Sequence, residues 1–313
     1  MWKCGIYKMS MLIAVKKIIK TILPYRVILL CRYIKQTRIV NHKKDIRRNC
    51  MDIGKSGTYL FKNPDLNSAL TITPPTELME WGESAEKHLA SGKKDFQDIY
   101  EILKRNNVSI ADLERIFEFG CSNCRILRQF LNFPNSPSLW GADIQVNKVF
   151  WAMENLPQLN LIVNNITPPL PFGDGYFGFV YAGSVFTHIV EYHTAWLVEL
   201  ARVIKPGGYA CFSFHDEASH KYFTDPSPGW EQKNVDWVAE PIRQDKDIYD
   251  NFLRFDFDFL RSGCSYYEGT AQSVVFMSRR YIEKITGQFF ELIDLVPNSY
   301  GGGQTWYLFR RLK

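Results

Sequence analysis

The sequence predicts an α/β fold built on a mostly parallel, doubly wound sheet of seven strands whose last strand runs antiparallel. Three observations carry this expectation. From Arg115 onward, short apolar strands alternate with helices of about ten residues, the pattern of a parallel sheet with right-handed crossovers. The first strand ends in an acid and a glycine, Glu118 and Gly120, just before a helix, where doubly wound sheets bind ligands. The final two strands are joined through Gly301-Gly302-Gly303, a link so short that it demands an antiparallel pair.

The elements follow in order. Residues 1–50 form a basic arm and residues 51–110 a helical cap and linker. Within the linker, Met51–Thr76 reads as irregular, punctuated by Pro64, Pro74 and Pro75. Phe96, Tyr100 and Leu103 then fall at helical spacing, and Asn106-Asn107 breaks the run. Residues 111–313 hold the alternating pattern. Strands are expected at Ile116–Phe119, Leu139–Ile144, Leu159–Val163, Phe179–Ala182 and Tyr209–Phe214, with Gly120–Asn123 as a turn. Helices are expected at Arg125–Leu131, Val146–Asn155 and Tyr192–Val203, and the last two strands at Phe289–Val296 and Thr305–Arg310. Residues 217–278, rich in Tyr, Phe and Trp, read as an inserted lid, because so long a connection is usually functional.

Charge is unevenly spread along the 313 residues. The net +5 divides into a +12 arm over residues 1–50, with 13 Lys or Arg against Asp45 alone, and a −7 remainder, with 25 bases against 32 acids. Seven scattered cysteines are too few for a disulfide scaffold and point to a reducing, cytoplasmic setting. No run reaches the roughly 18 apolar residues that span a bilayer. In the arm, Met11, Leu12, Val15, Ile18, Ile19, Ile22 and Leu23 share one helical face opposite Lys16, Lys17 and Lys20. Two readings stand: an ordinary helix against the body, or a peripheral anchor on an anionic inner membrane face. A nucleic-acid arm is disfavoured, since the stripe is Ile/Leu-rich and lacks stacking aromatics.

Asp143 ends the second strand, 23 residues past Gly120. An acid there can accept both hydroxyls of a ribose, so the constellation points to an adenosine-type cofactor. The alternative is that Glu118 and Asp143 merely cap helices. Dinucleotide sites need further glycines in the turn for the pyrophosphate. Ser122 and Cys124 stand here instead, so a cofactor without phosphates, such as S-adenosylmethionine, suits the turn better. Cys121 and Cys124 form an isolated C-x-x-C with no second pair at zinc-binding spacing, and no metal site is expected.

Four stretches together resemble a class I S-adenosylmethionine-dependent methyltransferase: Phe117-Glu-Phe-Gly-Cys-Ser-Asn-Cys-Arg125, Trp140-Gly-Ala-Asp143, Pro168-Pro-Leu-Pro-Phe172 and Arg202-Val-Ile-Lys-Pro-Gly-Gly208. The resemblance covers about residues 75–313 and implies a Rossmann-like fold. Ser184-Val-Phe-Thr-His-Ile189 and the C-terminal Gly-Gly-Gln-Thr-Trp-Tyr-Leu are further similar to a bacterial subgroup linked to glycan or cell-surface biosynthesis. It implies Glu118 and Gly120 at the methionine end of the cofactor, with Ser122 in the same turn. It also implies Asp143 on the ribose, Ile144 beside the adenine, Asn165 and Ile166 near the adenine amine, and Gly183 and Ser184 close to the sulfonium. The chain departs from the family at Ser122 and Cys124, at Asn165, where Asp is frequent, and at Gly178, where Asp often follows Phe.

A hydroxyl acceptor must lose a proton to a base of near-neutral pKa. His188, just after the fourth strand, and His215, at the end of the fifth, are the candidates; His193 is expected at the surface. Trp230, Trp237, Tyr266 and Tyr267 either line a wall facing sugar or lipid or pack a small subdomain. No Asn-Pro-Pro-Tyr occurs, which disfavours methylation of nucleic-acid bases. The expected activity is O-methylation of a glycan, lipid-linked or small-molecule acceptor. The competing expectation is a non-catalytic binding protein on the same fold.

Overall fold

A computed structural model describes residues 66–79, 84–133, 136–224, 242–243, 245–263, 273–301 and 303–313. The basic arm and the aromatics Trp230, Trp237, Tyr266 and Tyr267 lie outside the described residues. No helix among the described residues is long and apolar enough to cross a membrane.

Helix α1 (Leu66–Thr71) falls inside the stretch expected to be irregular. Helix α2 (Ala85–Arg105) is the expected cap: the Ser84 hydroxyl accepts the Lys87 N–H at its start, and Asn106 closes its end. Then come β1 (Arg115–Phe119), β2 (Ser138–Asp143), α3 (Val146–Asn155), β3 (Asn160–Val163), β4 (Phe177–Ala182), α4 (His193–Val203) and β5 (Ile204–Phe214). Between β1 and β2 the expected α-helix is a 3-10 segment, Leu127–Asn132. It follows a turn in which Ser122 and Cys124 are left-handed (φ 49° and 62°).

The main sheet runs β3-β2-β1-β4-β5-β9-β8, with β8 (Phe290–Tyr300) and β9 (Gln304–Arg311) closing one edge. Strands β1 to β5 are parallel neighbours, and β9 is antiparallel to both β5 and β8. The order reverses between β1 and β4, so the crevice for a ligand opens at their carboxyl ends. Both faces are covered, which is why β4 is buried along its whole length and reads as an unbroken apolar run. On one face lie Phe96, Ile99 and Leu103 of α2 with Val149 of α3; on the other lie Trp196, Leu197 and Leu200 of α4 with Ile282 of α7 (Arg279–Thr286).

Strand β5 begins five residues before the expected Tyr209. Pro206-Gly207-Gly208 reads as a stop, but Ile204 already pairs with Phe177, and a bulge opposite Phe177–Phe179 absorbs the irregular backbone. The insertion is more regular than its composition suggests. It holds α5 (Glu217–Thr224), α6 (Lys246–Arg254) and a two-stranded antiparallel sheet of β6 (Phe259–Gly263) and β7 (Ser273–Met277). His193 is not a surface residue as expected. It is half-buried, donates through Nδ1 to the Val190 carbonyl (2.8 Å), meets the Tyr281 hydroxyl at 3.0 Å and stacks on Phe259.

Gly178 has a steric reason for its lack of a side chain. A Cβ there would lie 2.2 Å from the carbonyl oxygen of Leu113, on the backbone that leads into β1. Gly178→Ala is therefore expected to cost about 1–3 kcal/mol through overpacking, read as a melting temperature several degrees below wild type by circular dichroism. An unchanged melting temperature would show that the Leu113 backbone yields freely.

Candidate active site

The carboxyl ends of β1, β2, β4 and β5 meet around the turn Gly120–Cys124. The Gly120 and Cys121 amides both donate to the Ala142 carbonyl (2.8 and 2.9 Å), which ties the turn to β2. Gly120 is left-handed (φ 83°), and a Cβ on it would lie 2.2 Å from Cγ2 of Val185. Only glycine lets the loop after β4 come this close. Ser122 and Cys124 adopt the backbone that glycine takes readily, at a cost of about 1–2 kcal/mol each, so the turn keeps its shape without the family's glycines.

Asp143 is 6% exposed. Its Oδ2 accepts the Ser122 N–H (2.8 Å) and its Oδ1 the Gln145 N–H (2.7 Å). Ile144 beside it is half-buried. In the loop after β3, Asn165 is exposed, and the Ile166 carbonyl accepts the indole N–H of Trp196 (3.1 Å). Glu118, two residues ahead of Gly120 in β1, is buried. It is 4% exposed, and Oε2 accepts the Leu127 N–H (3.2 Å). Burial raises its pKa to about 8, against opposing pulls from Tyr181, Arg125 and the Leu127 amide.

The turn is clamped from outside by residues that the sequence did not single out. Arg125 pairs with the buried Asp95 of α2 (2.5 Å) and donates to the Tyr300 hydroxyl (3.2 Å). Tyr300, at the end of β8, in turn fills the space a side chain at Gly183 would need, with its hydroxyl 2.7 Å from that missing Cβ.

After β4, Ser184 is left-handed (φ 55°). Its amide donates to the Ser213 hydroxyl (2.7 Å), and its own oxygen meets Thr187 Oγ1 (3.0 Å), Gln304 Nε2 (2.9 Å) and His188 Nε2 (3.4 Å). On the far side of the ring, His188 Nδ1 meets the carbonyl of Ser273 in β7 (2.6 Å). A carbonyl can only accept, so Nδ1 carries the proton; in the neutral ring Nε2 is then the bare nitrogen, turned toward Ser184. His215 is 6% exposed and stacks on Phe276. Burial, with His188 nearby, lowers its pKa to about 3, against a hydrogen bond to the Val275 backbone. Its Nδ1 has no hydrogen-bond partner among the described residues.

The two histidines thus both meet β7, Ser122 is bonded to Asp143, and Gly120 meets the loop that carries Ser184. Among the described residues no group of three His, Cys, Asp or Glu could hold a metal ion. Cys121 and Cys124 are buried free thiols, and burial pushes the Cys121 thiol up.

Residues 117–212 match the family model of a methyltransferase domain. The chain carries a class I S-adenosylmethionine-dependent methyltransferase domain. Among solved structures it is similar to an S-adenosylmethionine-dependent methyltransferase of Methanosarcina mazei, at 16% identity over 67% of this chain and 97% of that one (TM-score 0.48). It is also similar to a protein of Pyrococcus horikoshii OT3, at 14% identity over 69% and 91% (TM-score 0.45). A third is an S-adenosylmethionine-dependent methyltransferase of Clostridium acetobutylicum, at 11% identity over 71% and 92% (TM-score 0.47). No curated protein matches the chain.

Glu118 gives the domain a pH-dependent stability. Its carboxyl holds a proton in the folded state up to about pH 8, against 4.5 for an ordinary glutamate. The folded protein therefore binds the extra proton between these values, and this group's contribution makes stability fall as pH rises through that window. Glu118→Gln keeps an acceptor for Leu127 and has no charge to bury. It is expected to flatten the pH dependence and to melt above wild type at pH 8. Melting curves from pH 5 to pH 9 that stay parallel for the two proteins would contradict this.

Proposed function

We propose that the protein transfers the methyl group of S-adenosylmethionine to a hydroxyl of a glycan, lipid-linked or small-molecule acceptor, with His188 as the general base. The observation that carries the reading is the fixed tautomer of His188. With Nδ1–H held by the Ser273 carbonyl, the bare Nε2 stands at the active edge, able to take a hydroxyl proton. His215 supports the same choice by contrast: a buried imidazole with so low a pKa is neutral at pH 7 but a poor proton acceptor.

The cofactor supplies an activated methyl on a sulfonium. The protein's share is to position the two partners and exclude water. The residues present fit an adenosine-type group. Asp143 is an ionisable acceptor at the end of β2, its carboxylate already oriented by the Ser122 and Gln145 amides, and an acid so placed suits ribose hydroxyls. Ile144 offers an apolar side to the adenine, with Asn165 and Ile166 nearby. Gly120, Ser122, Gly183 and Ser184 border the methionine end, with Glu118 buried two residues ahead of Gly120.

Two measurements test the reading. Titration calorimetry should detect S-adenosylmethionine binding, and Asp143→Asn should weaken it on the order of 10-fold or more, the worth of charge-assisted bonds. Undiminished affinity would mean the ribose lies elsewhere. Transfer of labelled methyl to fractionated cell extract should fall about 10²–10⁴-fold in His188→Gln; full activity in that variant would remove His188 as the base.

A further inference from the structure

We propose that Gln304 is a positioning residue for methyl transfer: with Ser213 it fixes the direction of the Ser184 hydroxyl, so that the Ser184 proton faces Thr187 and Nε2 of His188. The inference rests on the reading of His188 as base.

Gln304 opens β9 directly after the glycine hairpin and is buried. Its Nε2 donates to Ser184 Oγ (2.9 Å) and to the Gly301 carbonyl (2.8 Å), and its Oε1 accepts the Ser213 hydroxyl (2.7 Å). The Gly301 carbonyl can only accept, which settles which end of the amide is nitrogen. Ser184 Oγ therefore receives a proton from Gln304 and must send its own elsewhere. Two atoms stand on that side, Thr187 Oγ1 at 3.0 Å and His188 Nε2 at 3.4 Å. Ser213 closes the ring of bonds. It accepts the Ser184 N–H (2.7 Å) while donating to Gln304, which holds Ser184 in its left-handed backbone.

The arrangement is a directed chain of donors: Gln304 amide to Ser184 hydroxyl, and Ser184 hydroxyl to Thr187 and the imidazole nitrogen. It keeps the His188 ring from rotating and gives way to an acceptor hydroxyl. In the transfer, the acceptor's O–H bond breaks and an N–H bond forms at Nε2. Nδ1–H stays on the Ser273 carbonyl, so the ring becomes an imidazolium with both protons placed. Gln304 touches neither acceptor nor reacting atom; it acts through Ser184.

The test uses the full-length chain and three single variants, Gln304→Glu, Ser184→Ala and His188→Gln, with the double of the first two. In cofactor-free protein, the ¹⁵N resonance of His188 Nε2, assigned by its disappearance in His188→Gln, reports whether a donor reaches that lone pair. Gln304→Glu offers Ser184 an acceptor where it had a donor, so the Ser184 proton turns away. The resonance should then move to its position in Ser184→Ala, and the double variant should move it no further. In methyl transfer to fractionated extract, kcat should fall on the order of 10-fold or more in Gln304→Glu, with the KM for S-adenosylmethionine retained. A resonance that stays at its wild-type position overturns the proposal. So does unchanged kcat in Gln304→Glu while His188→Gln loses activity. Failure of the underlying reading looks different: His188→Gln then transfers methyl normally whatever stands at position 304, and both fall. Should Gln304→Glu melt below the assay temperature, Gln304→Met is read by the same criteria, since it removes the donor to Ser184 without placing a charge in the core.

Discussion

Arg128 is fully buried, and its guanidinium donates to the backbone carbonyls of Cys124 (3.2 Å), Asn123 (3.2 Å) and Ile72 (2.5 Å). Two of these carbonyls belong to the turn after β1 and one to the segment after α1. Buried carbonyls without a donor each cost free energy comparable to a lost hydrogen bond. A planar fork of five N–H groups can serve several at once. Burial lowers the Arg128 pKa, with Cys124 and Glu118 opposing, yet a guanidinium remains charged in proteins. This interaction offsets the strain of the left-handed Ser122 and Cys124, and the Asp143 carboxylate is oriented by that turn.

Around the turn, the two ends of the described fold converge. Asp95 on α2 holds Arg125 from one side, and Tyr300 at the end of β8 receives it from the other. The same hairpin sends Gln304 to Ser184. Asp216, just past β5, accepts the hydroxyls of Thr305 (2.9 Å) and Tyr307 (2.7 Å) of β9 and the amides of Ala218 and Ser219. It therefore anchors the start of α5, where the insertion begins, to the main sheet. The candidate site is thus braced by the cap, the hairpin and the insertion as well as by the parallel strands.

The parallel strands and the turn after β1 were legible in the sequence for a physical reason. Strands buried on both faces read as continuous apolar runs, as β4 does, and an acid close to a glycine at a strand end suits a ligand better than it suits a core. Boundaries were less legible where backbone irregularity imitates a stop, as at Pro206-Gly207-Gly208, or where a short helix such as Leu66–Thr71 lies among prolines. His188 and Ser184 could be singled out as candidates because the strand pattern alone places them after β4. Gln304, Ser213, Asp95 and Arg125 were not assigned, because their roles lie in partners far along the chain. Gln304 meets Ser184 across 120 positions and Arg125 meets Tyr300 across 175. For Gln304 a signal did exist, a lone amide beside a glycine hairpin, but its meaning required the fold. The missing side chain at Gly178 likewise became intelligible only once the Leu113 carbonyl was found against it.

The carbonyl that sets the protonation of His188 comes from β7, within the insertion, while Val275 of the same strand donates to the Thr187 carbonyl (2.9 Å). On the reading of His188 as the base, the insertion also supplies the backbone acceptor that leaves Nε2 as the basic nitrogen. Displacing β7 would loosen the imidazole and the Thr187 carbonyl together, so the packing of the insertion and the protonation pattern of the ring are coupled.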